Sequence, residues 1–422
     1  MAKKGKGGKS KGKGKQQQQT HRKNTPTDSD SDPDDRDLPE ELISNILSRL
    51  PVKSLLRFRC TSKQWHDLVI QPTFISAHLS RSSTALLIYS LKASSPAVNG
   101  EPQPYKPNVI YAYRRLNTQL GEFSSTIERI HSFPGSDLVG LLKVVGTAQN
   151  GVVCIVEHKF ALKFTLWNPM TRSVLKIREP HLPKLETLYG ASAGFGYDPS
   201  SNKYAIIRIV SLTQEPKKLV ANIFNFQKGR WDRLNNDGGI VPFRALPKTC
   251  EVVVNGVPYW MGKVKDDELG KCQKLGWFDM RRSMFILELF PWSKDKLFTR
   301  LGEIREGFLG AIVFNKDEWQ RAMKFIIDVW TRDDEYGRWS RTYRVDFGKT
   351  EVRGRFLGFH GDAEMVIEDL ENPYLTMMKP AGDDDDVPEV KDSCYLEGAF
   401  RGYSKTMRYR ESLTCLPKIG SS

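Results

Sequence analysis

The period of the apolar positions changes twice along the chain. Residues 1–36, a basic segment followed by an acidic one, have almost nothing apolar to bury, which predicts a disordered tail. From residue 37 to residue 81 the apolar positions follow a helical period, which predicts a block of three to four helices. Asp37 can cap the first helix, and Pro39 lies in its first turn, where a missing N–H costs little. The apolar residues on one face of that helix are Leu42, Ile43, Ile46, Leu47 and Leu50.

Beyond the helical block, short β-branched and aromatic runs alternate with turn residues, which predicts an all-β domain over residues 82–422. A hairpin signal recurs there with steps of 57, 54 and 49 residues, and a glycine before a strand recurs with a mean step of 52.5 residues. Such steps predict four-stranded blades of a β-propeller, about six in number. The alternative is a pair of β-sandwiches with coincidental spacing. The hairpin landmarks are Asn168, Asn225, Asp279 and Asp328, and the glycines are Gly151, Gly196, Gly256, Gly310 and Gly361.

Four tryptophans lie beside these landmarks. Because a propeller packs large side chains between neighbouring blades, we expect them to be largely buried. They are Trp167, Trp231, Trp260 and Trp330.

The net charge of +14 is concentrated at the N-terminus. Residues 1–24 contain nine Lys or Arg and no acid, which leaves +5 for the remainder of the chain. Nucleic-acid binding through this basic tail is therefore an alternative function, although not the leading one. Six widely spaced cysteines with no C-x-x-C pair predict neither a metal site nor a disulfide framework, and no cofactor is expected. No apolar stretch approaches a membrane span or a secretory signal, so we expect the nucleus or the cytoplasm.

Three motifs in the helical block resemble a plant-type F-box, in order and without gaps. They are Leu38-Pro39-Glu40-Glu41, the run from Ile46 to Leu55, and the run from Arg59 to Trp65. The resemblance implies binding to the Skp-type adaptor of a cullin ubiquitin ligase. The block also has more apolar residues than one small core can cover, so a partner is expected to complete it; a helical cap on the next domain is the alternative.

Spacing and resemblance together assign ten residues to the adaptor-facing surface, namely Leu38, Pro39, Ile43, Ile46, Leu47, Leu50, Pro51, Val52, Leu55 and Cys60.

A second resemblance covers most of the β-region. Gly146-x-x-x-Asn150-Gly151-x-x-Cys154, the run from Leu166 to Arg172, the run from Gly194 to Asp198, and two later motifs are similar to the F-box-associated domain of plant proteins. The later motifs are Val254-Asn-Gly-x-x-Tyr-Trp260 and Tyr409-Arg-Glu-Ser-Leu413. The resemblance implies that this domain binds a protein substrate, whose binding residues the sequence does not identify. Between about Ser94 and Leu138 the similarity is lost.

Catalytic motifs have only partial matches. Gly190-Ala-Ser192-Ala-Gly194 fits G-x-S-x-G, but a strand and turn follow it, whereas a nucleophile elbow must lead into a helix. No catalytic residue is therefore assigned, and a non-catalytic adaptor is predicted. The alternative is an enzyme on a propeller scaffold, which would need acids or histidines converging on the central channel.

Overall fold

The computed structural model describes most of the chain between residues 38 and 420. The described ranges are 38–90, 110–117, 123–130, 142–158, 162–178, 190–211, 219–234, 249–266, 270–292, 297–315, 326–333, 335–346, 354–361, 363–369, 372, 374–379, 389–395 and 404–420. The predicted disordered tail, residues 1–36, lies outside these ranges, and so does much of the stretch from Ser94 to Leu138.

Four short helices open the described chain: α1 (Glu40–Leu47), α2 (Val52–Phe58), α3 (Lys63–Val69) and α4 (Pro72–Arg81). Proline and serine set their boundaries. Pro51 precedes α2, the Ser62 hydroxyl accepts a hydrogen bond from Trp65 N at 3.4 Å at the start of α3, and Pro72 opens α4. Among the described residues, no helix has the length and apolar character needed to cross a membrane. The prediction of three to four helices is confirmed.

The described chain continues as strands that form six four-stranded antiparallel sheets, which we number as blades 1 to 6. Blade 1 contains β1 (Thr84–Ser90), β2 (Ile110–Asn117), β3 (Phe123–Ile130) and the last strand, β24 (Ser404–Arg410). Blade 2 contains β4 (Leu142–Thr147), β5 (Val153–His158), β6 (Leu162–Asn168) and β7 (Ser173–Lys176). Blade 3 contains β8 (Gly190–Asp198), β9 (Lys203–Ser211), β10 (Leu219–Asn225) and β11 (Arg230–Arg233).

Blade 4 contains β12 (Val252–Val254), β13 (Val257–Asp266), β14 (Gly270–Asp279) and β15 (Met284–Leu289). Blade 5 contains β16 (Leu297–Arg305), β17 (Phe308–Asn315), β18 (Ile326–Arg332) and β19 (Trp339–Asp346). Blade 6 contains β20 (Gly354–His360), β21 (Glu364–Asp369), β22 (Tyr374–Lys379) and β23 (Glu389–Tyr395).

The six blades close into a ring. The innermost strands are β24, β4, β8, β12, β16 and β20. Successive blades contact each other through them, except that β8 of blade 3 contacts β13 of blade 4. The ring is closed by pairing of β24 with β1, from Thr84 opposite Arg410 to Ser90 opposite Ser404. A full closure leaves no blade without a neighbour. The predicted all-β, six-bladed propeller after a small helical block is therefore confirmed.

The repeat landmarks have a structural role. Asn168, Asn225 and Asp279 each end the third strand of a blade, and each side-chain oxygen accepts backbone N–H bonds from the following turn at 2.9–3.4 Å. In blade 5, however, Asp333 has this role, with Glu335 N at 2.8 Å. Asp328 instead pairs across the hairpin with Arg344 at 2.7 Å, so its choice as the fourth landmark was wrong.

The four tryptophans are buried to different extents. Trp167 and Trp260 lie in the core, at 2% and 0% exposure. Trp231 and Trp330 are only half-buried. Trp231 lies in the outermost strand of its blade and donates to Arg178 O at 2.8 Å, while Trp330 packs against Trp292 with ring centroids 4.8 Å apart. The four tryptophans were predicted to be largely buried, and full burial is found for Trp167 and Trp260.

Candidate functional site

One face of α1 presents large apolar side chains to solvent. Leu38, Leu42 and Ile46 are 57%, 51% and 54% exposed. Their four-residue spacing places them on one side of the helix and the residues that lead into it. An exposed apolar face on a small helical block is typical of a protein-binding surface. We call these three residues the α1 stripe.

The ten residues predicted to face the adaptor fall into three groups. Five are exposed, two are half-buried, and three are buried beneath the surface. The buried group belongs to the core of the helical block, which also contains Leu68, Val69 and Phe74. The exposed residues are Leu38, Pro39, Ile46, Pro51 and Cys60; the half-buried ones are Ile43 and Leu50; the buried ones are Leu47, Val52 and Leu55.

Hydrogen bonds from α4 fix the turn between α1 and α2. His78, which is 5% exposed, has its Nε2 2.9 Å from Leu50 O. Arg81 donates to the hydroxyl of buried Ser48, which itself donates to Asn45 O at 2.8 Å. These bonds fix the C-terminal end of α1 and the turn that follows it against α4.

Polar contacts join the helical block to blade 1. Lys53 Nζ lies 2.7 Å from Glu128 Oε2, and this hydrogen bond lowers the pKa of the Glu128 carboxyl. Arg114 bridges Glu128, at 3.5 Å, and Glu411. Burial raises the pKa of Glu411, and Arg114 partly offsets the rise. Since the Lys53 pair is exposed to water, it contributes at most about 1 kcal/mol.

The innermost strands surround a central channel that holds a cavity of about 80 Å³. Gly358 allows β20 to approach β24 closely, because a Cβ there would lie 2.6 Å from Thr406 Oγ1. The hydrogen-bond register shifts at this position, a β-bulge of the kind that re-aims side chains at functional sites. The lining includes charged side chains from three strands or their flanking residues: Glu251, Glu303, Lys405 and Arg408.

The channel is therefore charged, although the described residues that line its cavity include no histidine. Glu303 lies 3.5 Å from Arg408, and Glu251 Oε2 accepts a hydrogen bond from Leu301 N at 3.3 Å. Burial raises the pKa of Glu251 to about 7, against the opposing effects of that hydrogen bond and of Lys405. Among the described residues no group of histidines, cysteines and acids is placed to hold a metal ion.

Glu251 gives a pH-dependent prediction. Its folded-state pKa, about 7, lies above its ordinary value of 4.5, so the folded chain holds the proton more tightly and stability is lost as pH rises through this window. Glu251→Gln mimics the protonated form and keeps an acceptor for Leu301 N. We expect it to raise the free energy of unfolding by up to about 3 kcal/mol at pH 8 and by less than about 1 kcal/mol at pH 5.

Urea unfolding at the two pH values measures this difference. Glu335→Gln, a change at an exposed turn residue, is the matched control and should show no such pH dependence. Equal effects of the two substitutions at pH 8 would contradict the buried position of the Glu251 carboxyl.

Two family models match this chain. One, described as the F-box domain, matches residues 36–76, and the other, described as the F-box associated beta propeller domain, matches residues 122–407. The second covers more than half of the chain. The chain belongs to the F-box-associated β-propeller family. The resemblance to plant F-box proteins noted in the sequence is thereby confirmed.

Relatives of this F-box protein include three from Arabidopsis thaliana. F-box protein At1g30790 is 26% identical over 323 residues, which cover 72% of this chain and 74% of the relative. F-box protein At3g22700 is 24% identical, covering 66% of this chain and 77% of the relative. F-box/kelch-repeat protein At3g23880 is 27% identical, covering 53% and 58%.

In this F-box protein the apolar face of α1 was predictable from the sequence, but the full set of exposed residues on it was not. Leu42 belongs to the helical apolar face in the sequence, yet it was not among the ten residues assigned to the surface. The structure places it in the centre of the α1 stripe. Its apolar spacing with Ile46 was the signal that could have included it.

Proposed function

We propose that this chain is the substrate-recognition subunit of a Skp–cullin–F-box ubiquitin ligase. Its F-box would bind the Skp-type adaptor, and its propeller would bind the protein to be ubiquitinated. The α1 stripe carries the proposal: it is an exposed apolar face within the segment that matches the F-box model. Burying three such side chains in an interface would contribute several kcal/mol of binding free energy.

The adaptor surface that we propose consists of the exposed members of the predicted set, together with Leu42. Leu47, Val52 and Leu55 are buried in the chain, so they would support this surface from beneath rather than contact the adaptor.

We propose that the chain is not itself catalytic and that ubiquitin chemistry takes place on other subunits. The alternative function, an enzyme on a propeller scaffold, would require catalytic groups in the charged channel. Two acids are present there: Glu303 is paired with Arg408, and Glu251 accepts a hydrogen bond from Leu301 N at 3.3 Å, while the described cavity lining offers no histidine as a further acid–base group. An adaptor needs no such group.

We further propose that the chain acts in the nucleus or the cytoplasm. Cullin ligases require their adaptor, their substrate and this subunit to share one compartment. Fluorescence microscopy of the tagged full chain tests this cellular location. Deletion of residues 1–24 shows whether the basic tail is needed for it.

The proposed function is tested by purifying the full chain, tagged, from plant cells with and without a proteasome inhibitor. We expect the Skp-type adaptor and a cullin to co-purify under both conditions, and a set of further proteins to accumulate only when the proteasome is blocked. Absence of the adaptor from both samples would contradict the proposal.

A further inference from the structure

Four charged side chains lie together at one end of the central channel. Arg300 is in β16, Arg355 in β20 and Lys405 in β24, while Glu251 immediately precedes β12. All four interact electrostatically: Glu251 attracts Lys405 and Arg300, and the three cations repel one another. Four inner strands that are distant in sequence therefore bring an excess of positive charge to one place. We call these residues the cationic end.

The charges at the cationic end are not balanced. Arg355 is paired with Glu368 at 3.2 Å. Arg300 donates only to a backbone carbonyl, Phe356 O at 3.2 Å, among the contacts that the described residues provide. Within the same described part of the chain, the Lys405 ammonium makes no hydrogen bond or ion pair. Glu251 is thus one carboxyl facing two cations.

The other end of the channel differs. There Glu303 is paired with Arg408 at 3.5 Å, and Glu306 is paired with Arg410. Arg410 is opposite Thr84, the first residue of the propeller after α4, whereas Lys405 is opposite Tyr89, at the far end of the same strand pair. Among the described residues of these inner strands, the surplus of positive charge therefore lies at the end remote from the connection to the F-box helices.

Water reaches the cationic end. Lys405 is exposed although inner strands surround it, and both Lys405 and Glu251 line the cavity of about 80 Å³. The same cavity extends to the paired Glu303 and Arg408 of the other end. Because a single water molecule needs roughly 10–15 Å³ of such space, the cavity of about 80 Å³ has room for an ion of about five to eight heavy atoms, a range that includes phosphate and malonate. Drug-sized ligands need several hundred Å³, so they are too large for it.

We propose that the cationic end of the channel binds a small anion of the phosphate or carboxylate class, with the Lys405 ammonium, which lines the cavity, as its direct partner and Arg300 adding positive charge beside it. An ammonium donates charge-assisted hydrogen bonds to such oxygens. Glu251 limits the affinity, because its ionised carboxylate competes with the anion for the same two cations. This site goes beyond the proposed ligase function and does not depend on it.

Calorimetric titration of the purified full chain tests the site. Inorganic phosphate and malonate are titrated separately at pH 8, with chloride keeping the ionic strength constant. We expect saturable binding at one site by at least one of the two anions. Binding of phosphate alone assigns a phosphate site, binding of malonate alone assigns a carboxylate site, and binding of both supports the shared chemistry.

Three variants locate the binding. Lys405→Met should weaken binding by at least about tenfold, and Glu251→Gln should strengthen it by up to about tenfold, since each changes one charge beside the anion. Lys176→Met, at an exposed position on β7, should leave binding unchanged. Melting curves of the unliganded variants verify that each is folded.

The proposal is overturned if neither anion gives saturable heat with the wild-type chain. It is also overturned if folded Lys405→Met binds as tightly as wild type, or if Lys176→Met weakens binding to the same extent, because the anion would then be attracted by overall charge.

Discussion

A chain carrying both Leu42→Asp and Ile46→Asp is expected to lose at least about 100-fold in affinity for the Skp-type adaptor while keeping its melting temperature within a few degrees. Both side chains are about half exposed in the free chain, so aspartate there remains in water and costs little folding stability. In the proposed complex, the same two carboxylates would be buried at the centre of an apolar contact without a partner.

The matched control is Met284→Asp on β15, in blade 4. Met284 is 43% exposed, close to the values of Leu42 and Ile46, but lies on the propeller. Pull-down with immobilised adaptor should retain this variant as efficiently as wild type. Retention of the Leu42→Asp, Ile46→Asp chain at wild-type level would show that the α1 stripe is not the adaptor surface.

Trp260→Ala is expected to destabilise the propeller by about 3–5 kcal/mol. The Trp260 side chain is fully buried, and its indole N–H donates to the hydroxyl of buried Ser192 at 3.0 Å. Its ring packs over Gly194, where a Cβ would lie 2.3 Å from the indole, so blades 3 and 4 fit together around it. Removing the ring leaves a cavity and an unsatisfied hydroxyl at once.

Chemical denaturation measures this loss, and Trp231→Ala provides the comparison. Trp231 is half-buried on an outermost strand, so its truncation should cost clearly less. Equal losses for the two variants would contradict the difference in their packing.

Much of the fold follows from local patterns in the sequence. The helical period, the hairpin turns and their recurrence near 50 residues are all short-range signals, and they were enough to predict a helical block before six blades. Closure of the ring by β24 and β1 was not predictable in this way, because strands from opposite ends of the domain pair without any local signature. The confusion of Asp328 with Asp333 has a similar cause: both are acidic residues beside one hairpin, and only the hydrogen bonds distinguish them.

The candidate sites were also only partly predictable, because local patterns do not reveal contacts between distant parts of the chain. The period of α1 reveals which residues are apolar, but burial depends on the neighbouring helices, and for that reason Val52 and Leu55 were assigned to the surface although they lie in the core. The charged channel was missed altogether. Glu251 and Arg300 are 49 residues apart in the chain, and Arg300 and Lys405 are 105 residues apart. They meet only because each lies at the same level of the ring.

Calorimetric titration of the purified full chain with the purified Skp-type adaptor tests the central claim most directly. The account predicts saturable one-to-one binding at low micromolar concentration or tighter, which corresponds to about 8 kcal/mol or more. Absence of saturable heat with a folded chain at tens of micromolar adaptor would contradict the assignment of this protein to a Skp–cullin–F-box ligase.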